Sequence, residues 1–263
     1  MRKFTYTSLL ILTVLGCEEI SDQGLDTTAT PLLVVDGRLT NERIRQEVKL
    51  SLTFEDLNQV APAVTDAFVL INDGASNFVL THDDTRPGTY LTDTLQALFG
   101  KFYTLSINHN GNQYFAFATS AIGTSLPPLA VEELDSEEVR FIHNETIPSI
   151  TEVDITWQEI NAQGIPSMQQ KEAFFYTLDV LDITKTFAPD KAPLTFPKGA
   201  IVHRKKYSLT DQHQNFLRSF LSEVDWRGGG FDAAAGNVLT NLSDGAVGYF
   251  SVSMVDSDST VVE

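Results

Sequence analysis

A second cysteine is missing from this 263-residue chain, which excludes intramolecular disulfides and CxxC zinc or redox motifs. Positive charge is scarce: 18 Lys and Arg stand against 35 Asp and Glu, for a net charge of −17. A surface that acidic argues against DNA, RNA and anionic lipid headgroups as partners. Past the first residues, no apolar run reaches the length of about 18 that a membrane-spanning helix requires. There is no Gly-x-Ser-x-Gly elbow and no phosphate-binding Walker loop. The five histidines, His82, His109, His143, His203 and His213, fall in neither HExxH nor HxH spacing, so a zinc site is not expected. With no catalytic set legible, the expectation is a protein that is not an enzyme and has no cofactor and no metal. Methionine is scarce at 3 residues while phenylalanine is abundant at 17, and the many Thr and Val favour sheet over helix.

The most informative residue present is Cys17 itself. It follows Met1-Arg2-Lys3 and the short apolar run Leu9 to Gly16. That is a positive start, an apolar segment too short to span a bilayer, and a small residue at the cut. A cysteine at this point is the signature of a bacterial lipoprotein signal over 1–16, with acylation of Cys17 as the membrane anchor. Leu15 departs from the Ala or Ser more usual at its position. Glu18, Glu19 and Asp22 follow at once, and residues 17–31 read as an acidic, flexible tether. Acidic residues behind the anchor resemble the export signal that sends lipoproteins to the cell surface in Bacteroidota, which implies the surface side of an outer membrane, with the periplasmic face left open.

The body reads as mainly β. Val48, Leu50 and Leu52 alternate, Asp36-Gly37 and Pro87-Gly88 read as turns, and Asn110-Gly111 reads as a type I′ hairpin turn. That turn predicts Tyr103 facing Ala118, Leu105 facing Ala116 and Ile107 facing Tyr114. Phe102, Phe115 and Phe117 lie on the other side, so both hairpin faces should be covered. His109, beside the turn, reads as solvated. Residues 32–122 are expected to form an immunoglobulin-like β-sandwich, with 123–136 as a Pro-Pro-containing linker. Residues 137–263 are expected to form a second β-rich domain carrying one amphipathic helix near 209–225, with Ser208 or Thr210 as N-cap.

Weaker signals complete the reading. Asp256-Ser257-Asp258 and His82-Asp83-Asp84 offer partial oxygen sets for calcium but read first as solvated turns. Arg204-Lys205-Lys206 is either a solubilising loop or a dock for an acidic partner. Trp226 and Phe231 flank Gly228-Gly229-Gly230 and are the candidate ligand contacts, with Trp226 equally readable as a core residue that closes the helix.

Several of these segments, taken in order, carry a resemblance: the signal ending in Cys17, Val34-Val35-Asp36-Gly37-Arg38-Leu39-Thr40-Asn41, Pro87-Gly88-Thr89-Tyr90, Gly100 to Leu105, and Gly236 to Phe250. The chain resembles the Bacteroidota lipoproteins grouped as domain-of-unknown-function family 4249. That resemblance implies a cell-envelope lipoprotein and a TonB-dependent outer-membrane receptor as possible partner, and brings no catalytic residue. Two functions follow as expectations, an accessory or substrate-capture partner of such a receptor, and a stand-alone adhesion or glycan/protein-binding module. The ligand is unknown from the sequence. Within 237–250, Gly245 and Gly248 read as backbone positions of a structural turn and strand.

Overall fold

Side chains on a strand point alternately to its two faces, and seven strands from the first part of the chain begin the first layer of the molecule. The computed structural model describes residues 30–54, 60–160, 163–179, 182–229 and 236–263. Leu32–Glu263 is one unit, distinct from Met1–Pro31. Among the described residues the structure is mainly β, 50% strand and 8% helix.

The first seven strands are β1 (Leu33–Thr40), β2 (Ile44–Leu52), β3 (Phe68–Asn72), β4 (Asn77–His82), β5 (Thr89–Leu95), β6 (Tyr103–His109) and β7 (Asn112–Ala118). A late strand, β14 (Ala246–Ser253), joins them, giving an eight-stranded sheet in the order β14-β1-β2-β5-β4-β3-β6-β7. The sheet folds over one core containing Leu33, Val48, Ile71, Tyr103, Leu105 and Phe250. Its ends meet through a bridge between Ala116 and Leu242. Asn241 secures the seam: its amide donates to the carbonyls of Phe117 (3.1 Å) and Phe250 (2.7 Å), and its oxygen accepts from the Phe250 N–H (3.0 Å). This contact covers part of the β7 edge that an open sheet would present.

The hairpin has the register expected of it, Tyr103 opposite Ala118, Leu105 opposite Ala116 and Ile107 opposite Tyr114. Asn110 and Gly111 take φ of 50° and 77°, as a type I′ turn requires. His109 is not a solvated residue. Its side chain is largely buried, with Nδ1 3.2 Å from Asp66. Asp36-Gly37 is not a turn either. Strand β1 runs straight through it, because Gly37 faces inward where a Cβ would lie 3.1 Å from the Phe250 ring.

The second layer pair begins after residue 129. Strands β8 (Ala130–Glu133), β9 (Glu138–Ile142) and β12 (Thr195–Pro197) form a three-stranded sheet. Strands β10 (Ser149–Ile160), β11 (Pro166–Thr177), β13 (Ile201–Ser208) and β15 (Val255–Val261) form a four-stranded one in the order β11-β10-β13-β15. Val139, Phe141, Val153, Ile155, Phe196 and Val202 fill the space between them, a sandwich in arrangement. A short helix α1 (Ile183–Thr186) lies between β11 and β12.

Between β13 and β15 the chain makes helix α2 (Asp211–Val224) and then β14. The Thr210 hydroxyl caps α2 by accepting from the His213 N–H at 3.2 Å. Residues 246–253, which the sequence places with the second domain, therefore pair with the first sheet, in parallel with β1 from Leu33–Ala246 to Thr40–Ser253. Gly248 permits that approach: it sits at φ 98°, and a Cβ there would lie 2.1 Å from the Val35 carbonyl oxygen. Phe250 and Val252 point inward as expected, but Ser251 and Ser253 are buried too. The second layer covers that face, and the Ser253 hydroxyl donates to the Ser208 carbonyl at 3.0 Å.

Arg204-Lys205-Lys206 is neither a solvated loop nor an open basic patch. It lies on β13, where Arg204 and Lys206 are each only 2% exposed. Arg204 makes a bidentate pair with Asp258 and donates to the Pro127 carbonyl at 2.9 Å. Lys206 lies 2.6 Å from buried Glu145 and donates to the Ser125 carbonyl at 3.2 Å. Lys205 pairs with Glu42 at 2.8 Å. Asp256 accepts from the Leu126 N–H at 2.7 Å. Asp256 and Asp258 thus lie on a strand, engaged with the protein. Breaking one side of the Lys206–Glu145 pair leaves a buried, uncompensated charge. Lys206→Met should therefore cost about 3–5 kcal/mol in urea unfolding. Adding Glu145→Leu should restore much of that loss, and strict additivity of the two substitutions would disprove the coupling.

Candidate functional site

Helix α2 lies over the outward face of β14 and β1, and two cavities open along this contact. One, of about 320 Å³, is walled by Asp36 and Arg38 of β1, by Ile150 and Tyr176 of the second body, and by Phe216 and Phe220 of α2. The other, of about 180 Å³, is walled by Phe102, Phe117, Thr119, Thr210 and Gln212. Both share His213, Tyr249 and Ser251 as lining.

The cap at Thr210 fixes the first turn of α2 and so places His213 over Tyr249. Their rings stack at 4.6 Å and 12°. On the next turn Phe216 also stacks on Tyr249, at 4.6 Å, and Phe220 continues the row at 5.8 Å from Phe216. The spacing of three and four residues is what brings these rings onto one helix face. His213 is only 5% exposed, and its ring makes no hydrogen bond with any described residue. Burial, with a smaller contribution from the Arg38 charge, lowers its pKa to about 3, so it is neutral. Burial pushes the Tyr249 hydroxyl up to about 12. Burial also raises Tyr176, against the opposing effect of Arg38. Arg38 lies over the Tyr207 ring at 4.4 Å, and no described carboxylate lies within 4.0 Å of its guanidinium. The site can thus hold an apolar group against rings, with one cationic donor and one neutral imidazole beside it.

The residues singled out from the sequence lie elsewhere. Cys17 and Phe231 fall outside the described residues. Trp226 follows α2 and is buried, packed with Ile150, Tyr207, Leu217 and Leu221. One side of it lines a third, wider groove of about 820 Å³ along β11, with Phe174, Phe175 and Lys171. Lys185 lies 5.8 Å from the Trp226 ring centre. Of the calcium candidates, Asp83 is engaged by Thr85 and Arg86. Among the described residues, no three His, Cys, Asp or Glu side chains cluster as metal ligands. The sequence reading missed Arg38, His213 and Tyr249 as site residues. A signal existed: Arg38 and Tyr249 belong to the two segments, 34–41 and 236–250, that carry the family resemblance, and β1 and β14 bring those segments side by side.

Because His213 is neutral when folded and has an ordinary pKa when unfolded, the unfolded chain binds the extra proton between those values. Its contribution to stability is therefore complete above pH 6.5 and is lost as pH falls toward 3. The expected slope is roughly 1 kcal/mol per pH unit across that window. His213→Phe, which keeps a ring on Tyr249, should remove this component from urea titrations at pH 7, 6, 5 and 4. An unchanged slope would show that His213 is not held neutral.

No curated protein matches the chain. Among solved structures, the FN1–FN3 domains of chicken CNTN1 match with 12% identity and a TM-score of 0.24. That match covers 69% of this chain and spans 63% of the other. Residues 18–259 match the family described as domain of unknown function (DUF4249). The chain belongs to the DUF4249 family.

Proposed function

We propose that this protein is a non-enzymatic lipoprotein, anchored to the outer membrane through Cys17, that serves as an accessory or substrate-capture partner of a TonB-dependent receptor. The observation that carries the partner is the open outer face of the β6–β7 hairpin. Phe102 and Phe117 are 74% and 66% exposed there, although apolar groups on both faces predict a covered hairpin. The cross-strand register extends this face through Ser106 to Leu70 and Val79, with Phe68 beside them. Exposed apolar side chains on both sides of the polar row Thr104, Ser106 and Asn108, on an otherwise acidic protein, mark an interaction surface. The anchor rests on Met1–Cys17 and the acidic tether behind it. The cell-surface side is the favoured face.

A second reading, a stand-alone binding module for glycans or proteins, draws on the groove along β11 with Phe174, Trp226 and Lys171. Binding to a glycan array without any receptor would favour it.

Two measurements test the first reading. Cys17→Ser should abolish incorporation of labelled palmitate and shift the protein out of the mature membrane-bound form, leaving the thermal midpoint of the body unchanged. Wild-type protein that takes up no label and is recovered soluble would sink the anchor. A pull-down from detergent-solubilised outer membrane should recover a β-barrel receptor, and Phe102→Ser/Phe117→Ser should lose it while retaining palmitate. Recovery of the wild-type protein alone would count against the partnership.

A further inference from the structure

We propose that the cavity between β1, β14 and α2 binds a small organic monoanion with an apolar body, the anionic group paired with Arg38 and hydrogen-bonded to His213. This site does not depend on the membrane anchor or the receptor.

Three observations converge on it. The first is the unpaired guanidinium. Arg86, Arg140, Arg204, Arg218 and Arg227 all lie against carboxylates. Among the described residues Arg38, Arg43 and Arg45 do not; of these three only Arg38 lines the cavity, and it stays without a carboxylate although Glu47 stands directly across the strand pair. Glu47 is held instead by Arg86 at 2.5 Å and Lys49 at 3.2 Å. Tyr207 covers one face of the Arg38 guanidinium, and its hydroxyl donates to Glu152 at 2.6 Å. The N–H edge of a guanidinium braced in this way suits a carboxylate or sulfonate.

The second is His213, a polar ring that is 5% exposed, lines the cavity, and hydrogen-bonds to no described residue. Its ring nitrogens are not among the sealed, unsatisfied polar atoms of the described residues, so they keep access to open space, where a ligand can meet them. A neutral imidazole can donate one hydrogen bond to an anion without adding a second buried charge.

The third is the shape and lining. The cavity measures about 320 Å³. Ligand sites span roughly 300–1,000 Å³. Its apolar walls are Ile150, Tyr176, Phe216 and Phe220, suited to an aromatic or aliphatic body. Asp36, the one carboxylate in the lining, is exposed and on the same strand face as Arg38. It disfavours a second negative charge, which is why the ligand is a monoanion.

The probe is 1-anilinonaphthalene-8-sulfonate, an aromatic monoanion whose fluorescence rises on binding, with neutral N-phenyl-1-naphthylamine as its uncharged counterpart. The full chain carrying Cys17→Ser keeps acyl groups out of the assay. The sulfonate should bind this protein, and Arg38→Gln should weaken it at least tenfold while changing the neutral dye less than twofold. Arg38→Lys should recover part of the loss, and His213→Phe should weaken the sulfonate several-fold. Equal affinity of Arg38→Gln and its parent for the sulfonate would overturn the proposal, as would a parallel loss of both dyes. Hydrogen exchange on the parent protein avoids any question of variant folding. Saturating sulfonate should slow exchange at residues 34–38 and 211–217. Protection confined to the Phe102–Phe117 hairpin, or absent, would place the dye on the exposed apolar face and refute the site.

Discussion

Two cations sealed inside an acidic protein hold the architecture together. Arg204 and Lys206 sit on β13 with almost no solvent contact, and each satisfies both a carboxylate and a carbonyl of the crossing segment 121–128. A Pro-Pro stretch donates nothing to a ladder, so its carbonyls need partners from outside. The buried side chains supply them, and the crossing becomes a fixed joint. Burial alone would push Glu145 up. Lys206 and the N–H groups of Ile147 and Thr146 more than reverse that and hold it below its ordinary range. The pair stays ionised because both partners are present together, and that mutual dependence fixes the register of β13 against the segment it clamps.

What was legible in the residues was local. The Asn110-Gly111 turn fixed a hairpin to the residue, because φ > 0 at two adjacent positions leaves few backbone solutions. Leu209, Phe216, Leu217 and Leu221 marked α2 through their period, and Thr210 marked its start. Pairings between distant segments were not legible. Asp36-Gly37 has a turn's composition, and only the presence of Phe250 opposite explains why a glycine there serves an extended strand. The Ser251 and Ser253 positions look solvent-facing by alternation alone, yet a second layer covers them. Three adjacent basic residues look like surface until Asp258, Glu145 and Glu42 arrive from three other places in the chain.

The candidate site followed the same rule. A lone arginine in a strand and a lone histidine in a helix say nothing separately. They acquire meaning because 175 positions of sequence separate Arg38 from His213 and the parallel β1–β14 pairing cancels that separation. Trp226, the residue that looked most like a ligand contact, instead anchors the end of α2 on Ile150 and Tyr207, and so steadies the helix that carries His213. Its contribution to the site is through rigidity, which composition cannot reveal.

The parallel pairing of β1 with β14 has a mechanical corollary. Tension entering at Leu32 and resisted through β15 pulls the two strands lengthwise past each other, since one is loaded at its N-terminal end and the other at its C-terminal end. The ladder from Leu33–Ala246 to Thr40–Ser253 then bears load as a set of rungs strained together, where a hairpin peeled from its open end would lose them one by one.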